Sequence, residues 1–133
     1  MTEPAPMQSA PLRVLVVDPD ERIRESLVRL LRIGGRCAVV GSAGGPDDAV
    51  ALAAIIRPEV VLLDPRLPAM DGGRAIIACL REVVPGVRVL VLNLSESADG
   101  PSRAEGADAY IKKTFRPHEL IDAVIAAART TVA

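Results

Sequence analysis

Residues 59 to 64 read EVVLLD: four apolar residues, two of them β-branched, held between a glutamate and an aspartate. A half-exposed strand alternates polar and apolar positions, whereas an unbroken apolar run suits a strand covered on both faces, as in a parallel sheet. Two further stretches repeat the pattern. LRVLVV at 12 to 17 is broken only by Arg13 and ends at Asp18, and VRVLVL at 87 to 92 ends at Asn93. Weaker strands fit CAVVGS at 37 to 42 and DAYIK at 108 to 112.

Helical periodicity fills the intervals. Ile23, Leu27, Leu30 and Leu31 recur at i, i+4, i+7 and i+8, and Ile76, Leu80, Val83 and Val84 repeat that spacing. A helix fits 46 to 56, starting at Pro46 and stopping before Pro58, and Pro117 opens a last helix marked by Leu120, Ile121, Val124, Ile125 and Ala128. Strand and helix thus alternate five times. Right-handed crossovers turn that order into a doubly wound α/β domain with a five-stranded parallel sheet. One interval resists: NLSESADGPSRAEGA carries Gly100-Pro101 where the fourth helix should run, so that helix is expected to be short or broken and this part the most mobile.

Composition bounds the function. The chain of 133 residues has 50% apolar content, which suits one domain with one core. With 2% aromatic residues it has no platform for stacking bases, and a formal charge of −1 gives no field for a phosphate backbone or an anionic membrane. Residues 1 to 11 read as a disordered Pro-rich tail without the basic and apolar regions of a signal peptide, and 12 to 130 as the folded domain. No apolar stretch reaches membrane-spanning length, so a cytoplasmic location is expected. Cys37 and Cys79 make no disulfide framework and read as two buried small apolar residues.

Ligands of open α/β sheets sit beyond the carboxyl ends of the strands. The residues there are Asp18, Pro19 and Asp20 after the first strand, Asp64 after the third, Asn93 and Ser95 after the fourth, and Lys112 and Lys113 at the end of the fifth. Clustered carboxylates repel one another, and Mg²⁺ held by one or two of them plus water relieves the repulsion. A lysine adds a point charge for a phosphoryl oxygen. The set suits phosphoryl transfer to or from an aspartate. The competing reading makes Asp18 and Asp64 ordinary caps of the helices that follow.

At these residues the chain resembles the receiver domain of two-component response regulators over nearly all of 12 to 130. The segment EVVLLDPRLPAMDGGRAI carries most of the likeness, with Asp64 at the phospho-accepting aspartate, then Pro68 and Met70-Asp71-Gly72. GADAYIKK matches the fifth strand, with Tyr110 at the aromatic switch position and Lys113 at the active-site lysine, and VVDPDERIRESL matches the first strand and helix. The resemblance implies a flavodoxin-like fold with strand order 2-1-3-4-5. It also implies a signalling domain rather than an enzyme, at most catalysing its own slow phosphorylation and dephosphorylation. Asp64 would take a phosphoryl group from a sensor histidine kinase and pass the change to a downstream effector domain or protein, with a homodimer left open. Its metal ligands would be Asp18, Asp64 and the backbone carbonyl of Arg66.

The chain departs from the family's pattern at three positions. Pro19 stands where the family has a second acid that ligates the metal, and Asp20 lies one residue too far along and could substitute as a ligand only if the loop shifted register, so Mg²⁺ binding is expected to be weak or absent. Asn93 replaces the Thr or Ser whose hydroxyl bonds the phosphoryl group, although an amide NH₂ can donate the same bond. Pro65 deletes a backbone N–H beside the acceptor. These changes leave open an atypical receiver that works as a phosphorylation-independent interaction module. Asp18-Pro19-Asp20 also looks like the nucleophile motif of haloacid-dehalogenase-type phosphatases, but Arg22 stands where that family has Thr or Val, and the length leaves no cap domain. His118 reads as a solvated surface residue, and Tyr110 either as packing or as a switch.

Overall fold

The computed structural model describes residues 10–64, 74–93, 106–112 and 114–129, with Arg74 and Asn93 described in their backbone only. Five strands, β1 (Leu12–Val17), β2 (Cys37–Ala43), β3 (Val60–Leu63), β4 (Arg88–Asn93) and β5 (Ala109–Lys112), form one parallel sheet in the order β2-β1-β3-β4-β5. Among the described residues the helices are α1 (Glu21–Arg32), α2 (Pro46–Ile56), α3 (Arg74–Val83) and α4 (Pro117–Arg129), with one 3₁₀ turn after α1 at Ile33–Gly35. All five strands fall within a residue of the apolar runs that announced them, and the helical periodicities fall on α1, α3 and α4. The broken helix expected between β4 and β5, and residues 1 to 9 of the expected tail, lie outside the described residues.

The unbroken apolar runs have the reason proposed for them. Leu15, Val17, Val61, Leu63, Val89 and Val91 pack on one face of the sheet with Ala49 and Ala53 of α2 and Ile76, Ile77 and Leu80 of α3. Val14, Val16, Val60, Leu62, Leu90 and Leu92 pack on the other with Leu27 and Leu31 of α1 and Leu120, Ile121 and Val124 of α4. Successive strand residues point to opposite faces, so only a run apolar at every position can fill both layers.

Arg13, the one break in the β1 run, lies at the opposite end of the strand from Asp18. Its guanidinium donates to the carbonyl oxygens of Arg57 at 2.6 Å and Ile56 at 2.5 Å, where α2 has run out of backbone donors. α2 stops there because Arg57 turns left-handed at φ 48° and Pro58 cannot continue a helix. Gly41 of β2 lets that helix approach, since a Cβ there would lie 2.9 Å from Leu52 Cδ2 and 3.0 Å from Ile56 Cδ1.

One expectation fails. Cys37 is buried, but Cys79 is exposed, and both thiols are free. Ile76, Ile77, Leu80 and Val84 define the buried side of the α3 segment. At 100° per residue, position 79 falls about 110° from the centre of that arc and faces water.

Candidate functional site

The sheet brings two carboxylates together. Val17 of β1 is in register with Leu63 of β3, so Asp18 and Asp64 follow side by side at the carboxyl ends of neighbouring strands. Each is tied to the strand beside it: Asp64 N–H donates to Val17 O at 3.0 Å, and Asp18 N–H donates to Ala43 O at 3.1 Å. Their relative exposures are 3% for Asp64 and 1% for Asp18, and among the described residues they are the only buried polar or charged side chains. Burying a charge is unfavourable unless partners or a metal compensate, and two adjacent buried carboxylates are a donor set that a divalent cation can use.

The β1–α1 turn separates the roles of its two acids. Asp18 Oδ1 accepts from Asp20 N–H at 2.9 Å, while Asp20 Oδ1 accepts from Ile23 N–H at 3.1 Å and caps α1. Asp20 is exposed and is therefore the cap that the competing reading assigned to Asp18. The backbone carbonyl of Asp18 accepts from Arg24 Nη1 at 2.7 Å, a contact absent from the sequence reading. A signal for it was present: Arg24 is the fourth residue of α1, and helical side chains lean toward the N-terminus, so a long donor there reaches back over the first turn.

Asn93 ends β4 on the same edge, with its Cα opposite Lys112 of β5. Arg66 and Lys113 lie outside the described residues, as do Pro65 and the Met70-Asp71-Gly72 motif. Tyr110 is 38% exposed, on the side of β5 opposite buried Ile111, and His118 is exposed in the first turn of α4.

The donor set fits Mg²⁺, a hard ion that takes one or two carboxylate oxygens and keeps several waters. Asp18 and Asp64 are the residues that would supply those oxygens. Among the described residues no group of three or more His, Cys, Asp or Glu side chains can hold a metal ion. Any further protein ligand is therefore a carbonyl or lies elsewhere.

An open parallel α/β sheet with paired acids beyond β1 and β3 defines a class of small domains that work at that edge. The family model described as the response regulator receiver domain matches residues 14–125. The chain belongs to that family. It is 32% identical over 115 residues to the response regulator GacA of Pseudomonas aeruginosa, covering 85% of this chain and 53% of that protein. It is also 32% identical over 119 residues to the transcriptional regulatory protein LiaR of Bacillus subtilis, covering 89% and 56%. The signal receiver domain of the putative response regulator NarL from Mycobacterium tuberculosis superposes with a TM-score of 0.77 at 31% identity, covering 92% of this chain and all of that one. The response regulator domain of Thermotoga maritima CheB superposes at 0.74 with 25% identity, covering 92% and 99%. The chain spans about half the length of the curated relatives it matches. Receiver domains typically bind Mg²⁺ at their phosphorylation site, and they signal rather than catalyse. Response regulators interact with histidine kinases and output domains. Among the described residues no helix is long and apolar enough to cross a membrane.

Proposed function

We propose that Asp64 accepts a phosphoryl group from the phosphohistidine of a sensor histidine kinase. A carboxylate oxygen of Asp64 bonds to phosphorus as the P–N bond breaks, and the imidazole leaves with the bonding pair and takes up a proton. The observation that carries this reading is the burial of Asp18 and Asp64 side by side at the carboxyl edge of paired strands. Asp18, Asp64 and the backbone carbonyl of Arg66 would hold Mg²⁺. When bound, the ion supplies positive charge to the transferring oxygens.

Asn93 donates its amide N–H to the phosphoryl group, and Lys113 balances the added charge. That charge, about 1.5 to 2 units negative at neutral pH, biases the edge between two arrangements that a downstream effector domain or partner protein reads. Because Pro19 replaces an acid and Asp20 is engaged as a helix cap, Mg²⁺ binds more weakly than in receivers with two adjacent acids. A cytoplasmic location follows from the kinase and the effector.

Incubation with acetyl phosphate and Mg²⁺, followed by intact mass measurement, tests the proposal. One phosphoryl adduct is expected, absent in Asp64→Asn. If no donor gives an adduct that depends on Asp64, the domain is an interaction module and the proposal fails.

A further inference from the structure

The turn that carries Asp18 is fixed from three sides. Its N–H is held by Ala43 O at the end of β2, its Oδ1 by Asp20 N–H, and its carbonyl by the guanidinium of Arg24 at 2.7 Å. Pro19 has no N–H to contribute, so the turn has one donor fewer than an ordinary residue would give it. A cationic donor on a backbone carbonyl makes a stronger bond than a neutral one.

Gly44, in the β2–α2 connection, shows that room for this guanidinium is built in. A Cβ at position 44 would lie 2.9 Å from Arg24 Nη1 and 3.6 Å from Cζ, and the glycine's φ is outside the left-handed region. Space, not backbone conformation, therefore favours glycine here. Arg24 and Gly44 line an open cleft of about 510 Å³ with Ser42, Asp48 and Leu52, and the three heavy atoms nearest that Cβ all belong to the end of the Arg24 side chain, so a methyl group at position 44 would displace Arg24 rather than the core.

We propose that Arg24 is a positioning residue for the phosphoryl-accepting site. By holding the Asp18 carbonyl it fixes the orientation of the Asp18 carboxylate toward Mg²⁺, and Gly44 keeps the guanidinium in that pose. The inference rests on the reading of Asp18 and Asp64 as a metal-assisted phospho-acceptor site. Groups that orient metal ligands from behind typically change metal affinity or activity by 10- to 100-fold when removed, roughly the range expected here.

Arg24→Met keeps an unbranched side chain and removes the donors. Amide hydrogen exchange at Asp20 should quicken while Leu62 and Leu90 keep their protection, which shows an intact core. The Mg²⁺ concentration for half-maximal Asp64 phosphorylation should rise about tenfold with little change in the rate at saturation, and Arg24→Lys should recover most of the loss. Gly44→Ala should move both readouts the same way, and the double variant should be no worse than Arg24→Met, because both act through one contact.

An unchanged Asp20 exchange rate and Mg²⁺ midpoint in Arg24→Met overturn the inference, as does additivity in the double variant. Failure of the unaltered chain to form an Asp64 adduct instead overturns the phospho-acceptor reading. Arg24 is then judged by Mn²⁺ broadening of the Asp18 and Asp64 amide signals. Weaker broadening in Arg24→Met supports its positioning role, and equal broadening overturns it.

Discussion

The backbone N–H of Asp20 donates to the Asp18 carboxylate at 2.9 Å, so two acids separated by a single proline do unlike work. Asp18 is buried and faces the site, whereas Asp20 is exposed and starts a helix. Two aspartates in a D-P-D sequence look equivalent on paper. Asp20 has the extended dihedrals of an N-cap, φ −89° and ψ 114°, and with Oδ1 on Ile23 N–H its side chain is directed at α1.

Asp20→Ala separates those roles. Loss of the cap should lower stability by about 1 kcal/mol, measured by urea unfolding, because one N–H of the first turn loses its acceptor. The Mg²⁺ midpoint for Asp64 phosphorylation should stay within about twofold, since the Asp20 N–H that holds Asp18 Oδ1 belongs to the backbone and survives the substitution. A tenfold rise in that midpoint would make Asp20 a ligand after all.

The two cysteines differ enough to be told apart by reagent and by pH. Cys79 on the outer side of α3 is open to a thiol reagent and should react first, while Cys37 reacts only as fast as the domain opens. Burial pushes the Cys37 thiol above its ordinary pKa, and the guanidinium of Arg36 offsets part of that rise. A raised folded value means the native state favours the neutral thiol. Its stabilisation is thus complete below the unfolded thiol's pKa, about 8.5, and fades as pH rises through the folded value. Cys37→Ala should flatten that part of the stability profile. Equal reaction rates for the two thiols would contradict the burial of Cys37.

The fold was legible because its signals are local and redundant. Runs apolar at every position name the strands of a doubly covered sheet, while Pro46 and Pro117 open helices and Pro58 closes one, a stop that the left-handed φ of 48° at Arg57 completes. Of the candidate site, the adjacency of Asp18 and Asp64 was legible, since both close such runs. Arg24 was missed, because its bond to Asp18 joins a helix to the strand end before it and leaves no trace in apolar periodicity, only in its place in the first turn of α1. Cys79 misled for a related reason: cysteine's usual burial spoke for it, while the 100° step around α3 decided otherwise.

Pro19 provides the sharpest test of the metal site. Pro19→Asp places a second acid directly after Asp18 and restores a backbone N–H to the turn, while the Arg24 contact to the Asp18 carbonyl requires no change. With three carboxylates at one edge, repulsion rises in the absence of metal and a divalent cation relieves more of it. Stability without Mg²⁺ should therefore fall, and the gain in melting temperature on adding Mg²⁺ should grow, because an ion that binds only the folded state stabilises it by mass action. The Mg²⁺ midpoint for Asp64 phosphorylation should drop about tenfold, the size of effect that about 1.4 kcal/mol of added binding produces. If Pro19→Asp leaves the midpoint where it was, the proline is not what limits the site, and the weakness of Mg²⁺ binding proposed for this domain loses its cause.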